Sequence, residues 1–253
     1  MHAFVYFGLS VAAFVAGAIN AVAGGGSLVS FPALITAGYA AKTANVTNTV
    51  ALWPGHAGGS YGYREELLRQ RRRVIALLPA SIGGALLGSF ILLATPSSAF
   101  DVLVPYLLIF ACVVLAFQDQ LGRFAQQHQL HRAEGEGVPP MLHIIVFTLA
   151  IYGAYFGAGL GIIMLAVLGI LLPDDIQHSN ALKVMLSLII NAVAVIYFAL
   201  FGPVRWLAAA VMAAGAIIGG YLGVGVARRL GRTWLRVVVI AYGLIVAGVL
   251  LAG

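Results

Sequence analysis

The chain alternates between long apolar stretches and short polar breaks. Apolar segments run at about 4–23, 27–37, 43–63, 74–94 and 102–117. A second series runs at about 141–158, 161–172, 179–201, 207–226 and 235–251. Between the two series lies one polar stretch, Gln118 to Pro140, containing His128, His131, Glu134, Glu136, Pro139 and Pro140. A helix needs about 20 residues to cross a hydrocarbon core of ~30 Å. Segments 27–37 and 161–172 are too short for that. Each opens on a glycine break, Gly24-Gly25-Gly26 in the first series and Gly159-Leu160-Gly161 in the second. Short, glycine-interrupted segments at matching places in two halves are a sequence pointer to a transporter binding site.

This pattern predicts an all-α polytopic membrane protein of eight to ten helical segments. Residues 1–117 form the first transmembrane repeat, 118–140 a cytoplasmic linker and 141–253 the second repeat. The apolar run at 4–19 precedes Ala21-Val22-Ala23, which has the look of a signal-peptide cleavage site. No Lys or Arg precedes that run, and it continues into more membrane sequence, so 4–23 reads as a retained helix.

Composition agrees. Of the 253 residues, 62% are hydrophobic and only 9% charged, and the mean hydropathy is +1.01. A soluble domain carries about 25% charged residues. The balance excludes a soluble enzyme, a secreted domain and a nucleic-acid-binding module. The net charge of +6 reflects basic loops rather than an anionic macromolecular partner. Cys112 is the single cysteine, so no disulfide closes within the chain.

The halves match without a gap at an offset of 135: Gly24 falls on Gly159, Gly26 on Gly161, Leu28 on Ile163 and Asn45 on Asn180. The same register puts Asn48 on Lys183 and His56 on Asn191. An offset of 136 places Gly83-Gly84 on Gly219-Gly220 and Tyr106 on Tyr242. Loop 64–73 carries Arg64, Arg69, Arg71, Arg72 and Arg73, whereas its counterpart at 202–206 has only Arg205. Loop 228–236 carries Arg228, Arg229, Arg232 and Arg236, whereas Thr95 to Asp101 has no basic residue. The positive-inside rule therefore puts equivalent loops on opposite sides. That predicts two inverted repeats of five segments each, with one short broken helix per repeat.

All eight carboxylates (Glu65, Glu66, Asp101, Asp119, Glu134, Glu136, Asp174 and Asp175) lie in or beside loops. Cation pumps carry intramembrane carboxylates, so a cation antiporter is disfavoured. The two lysines, Lys42 and Lys183, each stand three residues from the matched asparagine of their half, Asn45 and Asn180. That spacing puts each pair on one helix face. Lys183 lies a turn inside an apolar helix, where an ammonium needs a partner, and a bound anion is the natural one. The competing reading is a lysine that snorkels to the interface.

The half-helices that begin at Gly26-Ser27 and Gly161-Ile162 would point N–H groups and a positive dipole end at the break. Ser27 could add a hydroxyl, which its counterpart Ile162 cannot. Asn48, His56 and Asn191 are further polar groups in apolar surroundings. The candidate substrate-binding set is therefore Gly24, Gly25, Gly26, Ser27, Lys42, Asn45, Asn48, His56, Gly159, Gly161, Asn180, Lys183 and Asn191. Gly84-x-x-x-Gly88 and Gly215-x-x-x-Gly219-x-x-x-Gly223 read as helix-packing motifs instead. No metal-ligand set, Walker A sequence or serine-hydrolase elbow is present, which gives no metal, no cofactor and no enzyme reading.

The run Gly17–Gly38 (GAINAVAGGGSLVSFPALITAG) and Ala44-Asn45-x-x-Asn48 resemble the first repeat of the sulfite exporter TauE/SafE family. Gly153–Leu165, Ser179–Lys183, Phe201–Trp206 and Gly219–Arg229 resemble its second half, so the likeness covers essentially the whole chain. The resemblance implies a secondary transporter in the bacterial inner membrane that exports a small sulfur-containing anion, sulfite or an organosulfonate. An anion channel with the same site is one alternative, and a non-transporting membrane enzyme or assembly factor is another. Expected partners are the small anionic substrate and the lipid bilayer. A homodimer through the glycine-rich helices is compatible with the sequence, and nucleic acid is not a partner.

Overall fold

A computed structural model describes residues 2–22, 25–128, 137–172, 176–230 and 232–252. These residues form twelve helices, with no strand among them. The first series comprises α1 (His2–Val22), α2 (Ser27–Thr36), α3 (Ala41–Gly62), α5 (Arg71–Ala94) and α6 (Ser97–Ala116). The second comprises α8 (Pro140–Tyr155), α9 (Leu160–Leu171), α10 (Ile176–Phe201), α11 (Trp206–Leu230) and α12 (Arg232–Ala252). Each of the ten apolar segments is thus a helix. Among the described residues α5, α6 and α10 are long and apolar enough to cross a membrane by length and composition.

Two further helices appear where the sequence suggested loop. The short α4 (Arg64–Arg69) occupies the first arginine-rich loop. Helix α7 (Gln118–Gln127) takes up the first part of the expected linker. It is mostly polar, so a hydropathy profile passes over it. Its apolar residues Leu121, Phe124 and Ala125 follow helical spacing. Ala125 is buried against Gly169 of α9. Pro32 does not end α2, which continues to Thr36.

Helix neighbours come in matched sets. Helix α1 packs along α11, and α8 packs along α5. Helix α3 lies on α11, and α10 lies on α5. Half-helix α2 contacts α1, α3 and α12, while α9 contacts α8, α10 and α6. Helices α3 and α10 cross each other, as do α6 and α12. Exchanging α1 for α8, α2 for α9, α3 for α10, α5 for α11 and α6 for α12 maps these contacts onto themselves.

The two long helix pairs close through glycine. A methyl group at Gly84 or Gly88 would strike the carbonyl oxygens of Phe147 or Ile151 on α8. A methyl at Gly215 or Gly219 would strike those of Ser10 or Phe14 on α1. Small residues four apart let two backbones meet, which is how helices associate where lipid is as apolar as leucine. The environments therefore pair Gly84 and Gly88 with Gly215 and Gly219. The offset of 136 had placed Gly83-Gly84 on Gly219-Gly220; local contacts select a different register here.

Large apolar side chains point outward, including Phe4, Ile144, Ile196, Leu200 and Val249. Polar Asn45, Asn48, Ser81, Ser89, Ser179 and Ser187 are buried instead. An apolar exterior of this extent suits hydrocarbon rather than water as solvent.

Replacing Gly219 with leucine forces α1 and α11 apart and should cost about 1–3 kcal/mol, as overpacking does. The same change at Gly8, which has nothing within 4 Å of a Cβ, should be neutral. The midpoints of thermal aggregation in detergent, compared between the two variants, check this.

Candidate functional site

The two helix breaks converge on one turn of α6. Gly25 lies against Leu115, and Gly159 lies against Ala111 and Val114. Phe31 of α2 meets Phe156 of the second break edge-on, with ring centroids 5.5 Å apart. Gly25 has φ +93° and Gly159 φ +79°, a left-handed backbone that L side chains rarely adopt. That conformation lets the chain reverse and start a new helix within a few residues. Gly24 lies outside the described residues.

At the first break, Asn20 Oδ1 accepts the Gly26 N–H at 2.8 Å, so this end of α2 is capped from α1. Ser27 begins α2 and is half-buried. At the second break, Leu160 N–H donates to the Gly157 carbonyl at 3.2 Å and Ile162 N–H to the Gly159 carbonyl at 3.0 Å. The Gly161 N–H has no partner among the described residues. Gly161 also faces Lys183: a Cβ there would stand 3.4 Å from the lysine Cδ. The Lys183 ammonium has no hydrogen-bond or ion-pair partner among the described residues. An orphan N–H at a helix start and an unpaired cation therefore share one neighbourhood, and both favour negative charge.

The crossing of α3 and α10 fixes the depth of every other candidate. Three hydrogen bonds give its direction. Arg205 N–H, just past α10, donates to Thr47 Oγ1 at 3.1 Å. Trp53 Nε1 donates to the Leu188 carbonyl at 3.3 Å. Asn180 Nδ2 donates to the Tyr63 hydroxyl at 2.6 Å. The helices run antiparallel and cross at Trp53 and Leu188, which are themselves matched at the offset of 135.

Matched residues consequently fall on opposite sides of the crossing. Lys183 precedes Leu188 by five residues, and His56 follows Trp53 by three. Both lie on the same side of the crossing. Asn48 and Asn191 lie on the other side by the same count. Asn48 Oδ1 is buried without a hydrogen-bond partner, while Asn191 Nδ2 donates to the Ser187 carbonyl one turn back at 2.8 Å. At 1.5 Å per residue, Lys183 and Asn48 stand about 15 Å apart along the axis.

Asn45 and Asn180 are farther out still, eight residues from the crossing at opposite ends. Asn45 Nδ2 donates to the Tyr155 carbonyl at 2.8 Å. Lys42 Nζ donates to the Leu93 carbonyl at 3.2 Å and to that of Thr95, capping the end of α5. The structure thus brings Lys183, His56 and Gly161 together, sets Asn48 and Asn191 in a second polar layer, and sends Lys42, Asn45 and Asn180 to the ends of the bundle.

One residue of this region escaped the sequence reading. Ser187 lies one turn from Lys183 on the same face of α10, and its hydroxyl is buried without a partner. The four-residue spacing of Ser179, Lys183, Ser187 and Asn191 was the available signal. An open groove of about 600 Å³ lies elsewhere, between α1, α2 and α12. Its lining is apolar apart from Thr36 and Tyr242, and it offers no charge for an anion.

An all-helical protein with an apolar exterior, a few polar side chains buried in its core and two short helices that start at glycine breaks has the build of a membrane transporter. The sequence profile of the family described as Sulfite exporter TauE/SafE matches residues 9–250, and the chain belongs to that family. It is 29% identical over 233 residues to the "Probable membrane transporter protein" of Haemophilus influenzae, covering 90% of this chain and 87% of that one. It is 27% identical to "Probable membrane transporter protein ORF9" of Sinorhizobium sp., over 85% of this chain and 80% of the relative. The "Probable membrane transporter protein YfcA" of Escherichia coli K12 is 24% identical over 94% of this chain and 87% of its own. No solved structure matches the chain.

Alanine at Gly159 meets a left-handed φ and should destabilise the protein by about 1–2 kcal/mol. Alanine at Gly122, inside α7 with open space around it, should be neutral or stabilise by about 0.5–1 kcal/mol. Thermal midpoints of the two purified variants provide the comparison.

Proposed function

We propose that the protein is a secondary transporter that exports a small sulfur-containing anion, sulfite or an organosulfonate, across the bacterial inner membrane. The reading rests on the unpaired Lys183 ammonium beside the orphan Gly161 N–H at the start of α9. The anion sits against Lys183, the α9 N-terminus and the Ser187 hydroxyl, with His56 on the same side of the crossing. The α2 N-terminus, with Gly25, Gly26 and Ser27, approaches from the other break, and Asn48 and Asn191 form the adjoining polar layer. Membership of the TauE/SafE family and the printed names of the relatives support transport as the activity. The sulfur-containing substrate follows the family description alone.

In this reading the chain crosses the membrane repeatedly as two inverted repeats, with the arginine-rich loops in the cytoplasm. The exchange of neighbours between the two helix series and the crossing at Trp53 and Leu188 support it. Rocking of the two halves about that crossing would expose the site to each side in turn. Membership of a transporter family and the printed names of the relatives favour transport over an enzymatic role.

Flux of radiolabelled sulfite, methanesulfonate and sulfate into proteoliposomes tests the proposal. Saturable flux of a sulfur oxyanion is expected. Lys183→Met removes the charge from the site and should lower apparent affinity about 30-fold or more, equivalent to about 2 kcal/mol, at unchanged expression. Ser187→Ala should lose about 1 kcal/mol, seen as a severalfold rise in KM. Saturable flux that ignores both changes would move the site elsewhere. Flux that never saturates would identify a channel, and no flux of any anion would defeat the transport reading.

A further inference from the structure

The matched asparagines Asn45 and Asn180 were first placed with the substrate, yet each already spends its amide on a bond between the two halves. Asn45 of α3 holds the Tyr155 carbonyl at the end of α8. Asn180 of α10 holds the Tyr63 hydroxyl just past α3. They stand about 24 Å apart along the α3–α10 axis, eight residues either side of the crossing at 1.5 Å per residue. No small anion reaches both.

Each asparagine also belongs to a knot of bonds at its own end. Around Asn45, Lys42 holds the Leu93 and Thr95 carbonyls, and the Tyr155 hydroxyl reaches Thr95 Oγ1 at 3.5 Å. These bonds tie the start of α3, the end of α5 and the second break together at the arginine-free end. Around Asn180, the buried Gln70 donates from Nε2 to the His178 carbonyl at 2.9 Å. That bond ties the arginine-rich loop of the first half to the start of α10. Both knots are closed in this structure, and the Lys183 neighbourhood lies between them.

We propose that Asn45 and Asn180 are opposed latches, one closing each end of the pathway, and that the structure is the doubly closed, occluded state. The inference rests on the transporter reading but not on which anion is carried. A carrier with a central site must never open both ends at once, and a repeat-matched residue at each end supplies the same closing bond in either half. Outward opening breaks the Asn45–Tyr155 bond and leaves Asn180–Tyr63 intact. Inward opening does the reverse. The two asparagines correspond in sequence because they perform the same task at opposite ends.

The test reads sidedness rather than transport. A reporter cysteine replaces Ser187 between the latches, in a Cys112→Ala background, in membrane vesicles of known orientation. A membrane-impermeant thiol reagent is applied to one face at a time. With both latches present, labelling is slow from either face. Asn45→Ala should speed labelling from the arginine-free face alone, and Asn180→Ala from the arginine-rich face alone, each by about tenfold for one lost buried hydrogen bond. Lys42→Met and Tyr63→Phe remove one bond from each knot with less disturbance and should act in the same two directions. Labelling that rises from the same face in both cases, or that does not change, overturns the proposal. So does a result in which Asn45→Ala weakens anion affinity while labelling stays slow, which returns that residue to the substrate. Because labelling needs no substrate, failure of the sulfur-anion reading would show only in the flux assay.

Discussion

Hydrocarbon offers no hydrogen bonds, and that constraint governs this fold. A helix may stop inside the membrane only where protein surrounds its end. The two breaks meet this condition against one turn of α6. Gly25 packs on Leu115, Gly159 on Ala111 and Val114, and Asn20 supplies the acceptor that the Gly26 N–H needs. Glycine is required at both places because the chain turns with positive φ and passes close to its neighbours. The Gly161 N–H, without a partner among the described residues, sits beside Lys183. In the proposed transporter, that unpaired donor and the lysine together favour an anion.

The antiparallel crossing of α3 and α10 then distributes chemistry by depth. Trp53 and Leu188, matched at the offset of 135, meet at the crossing, so side chains matched by that offset stand at equal distances on opposite sides. In the proposed transporter, matched positions near the crossing differ, as Lys183 and Asn48 do, and make one asymmetric site, while matched positions far from it serve the two ends alike. The glycine contacts of α1 with α11 and of α5 with α8 hold the flanks close enough for this geometry to persist.

The ten apolar segments, the two short helices and the glycine breaks were legible in the sequence, because hydropathy and segment length follow directly from the thickness of the bilayer. Helix α7 was not, since a mostly polar helix lies below any hydropathy threshold and only the spacing of Leu121, Phe124 and Ala125 betrays it. Lys183 stands out in the sequence because an intramembrane ammonium is rare. Its grouping with Asn45 was not a safe step. Repeat alignment says which residues correspond, but it does not say that an antiparallel crossing sends them to opposite ends. Ser187 was passed over because a lone serine in a helix usually bonds its own backbone; here its hydroxyl does not.

The asymmetry between Lys183 and Asn48 gives the polar centre its sign. Two lysines at these matched places would put two like charges in a low-dielectric interior and repel each other. Two asparagines would bind an anion only through dipoles, with no net charge to offset its loss of water. On the transport reading, one lysine beside the start of α9, where it faces Gly161, gives a single positive site of modest strength. Such a site can draw an anion from water without holding it against release. A buried carboxylate partner would neutralise the lysine and abolish that property.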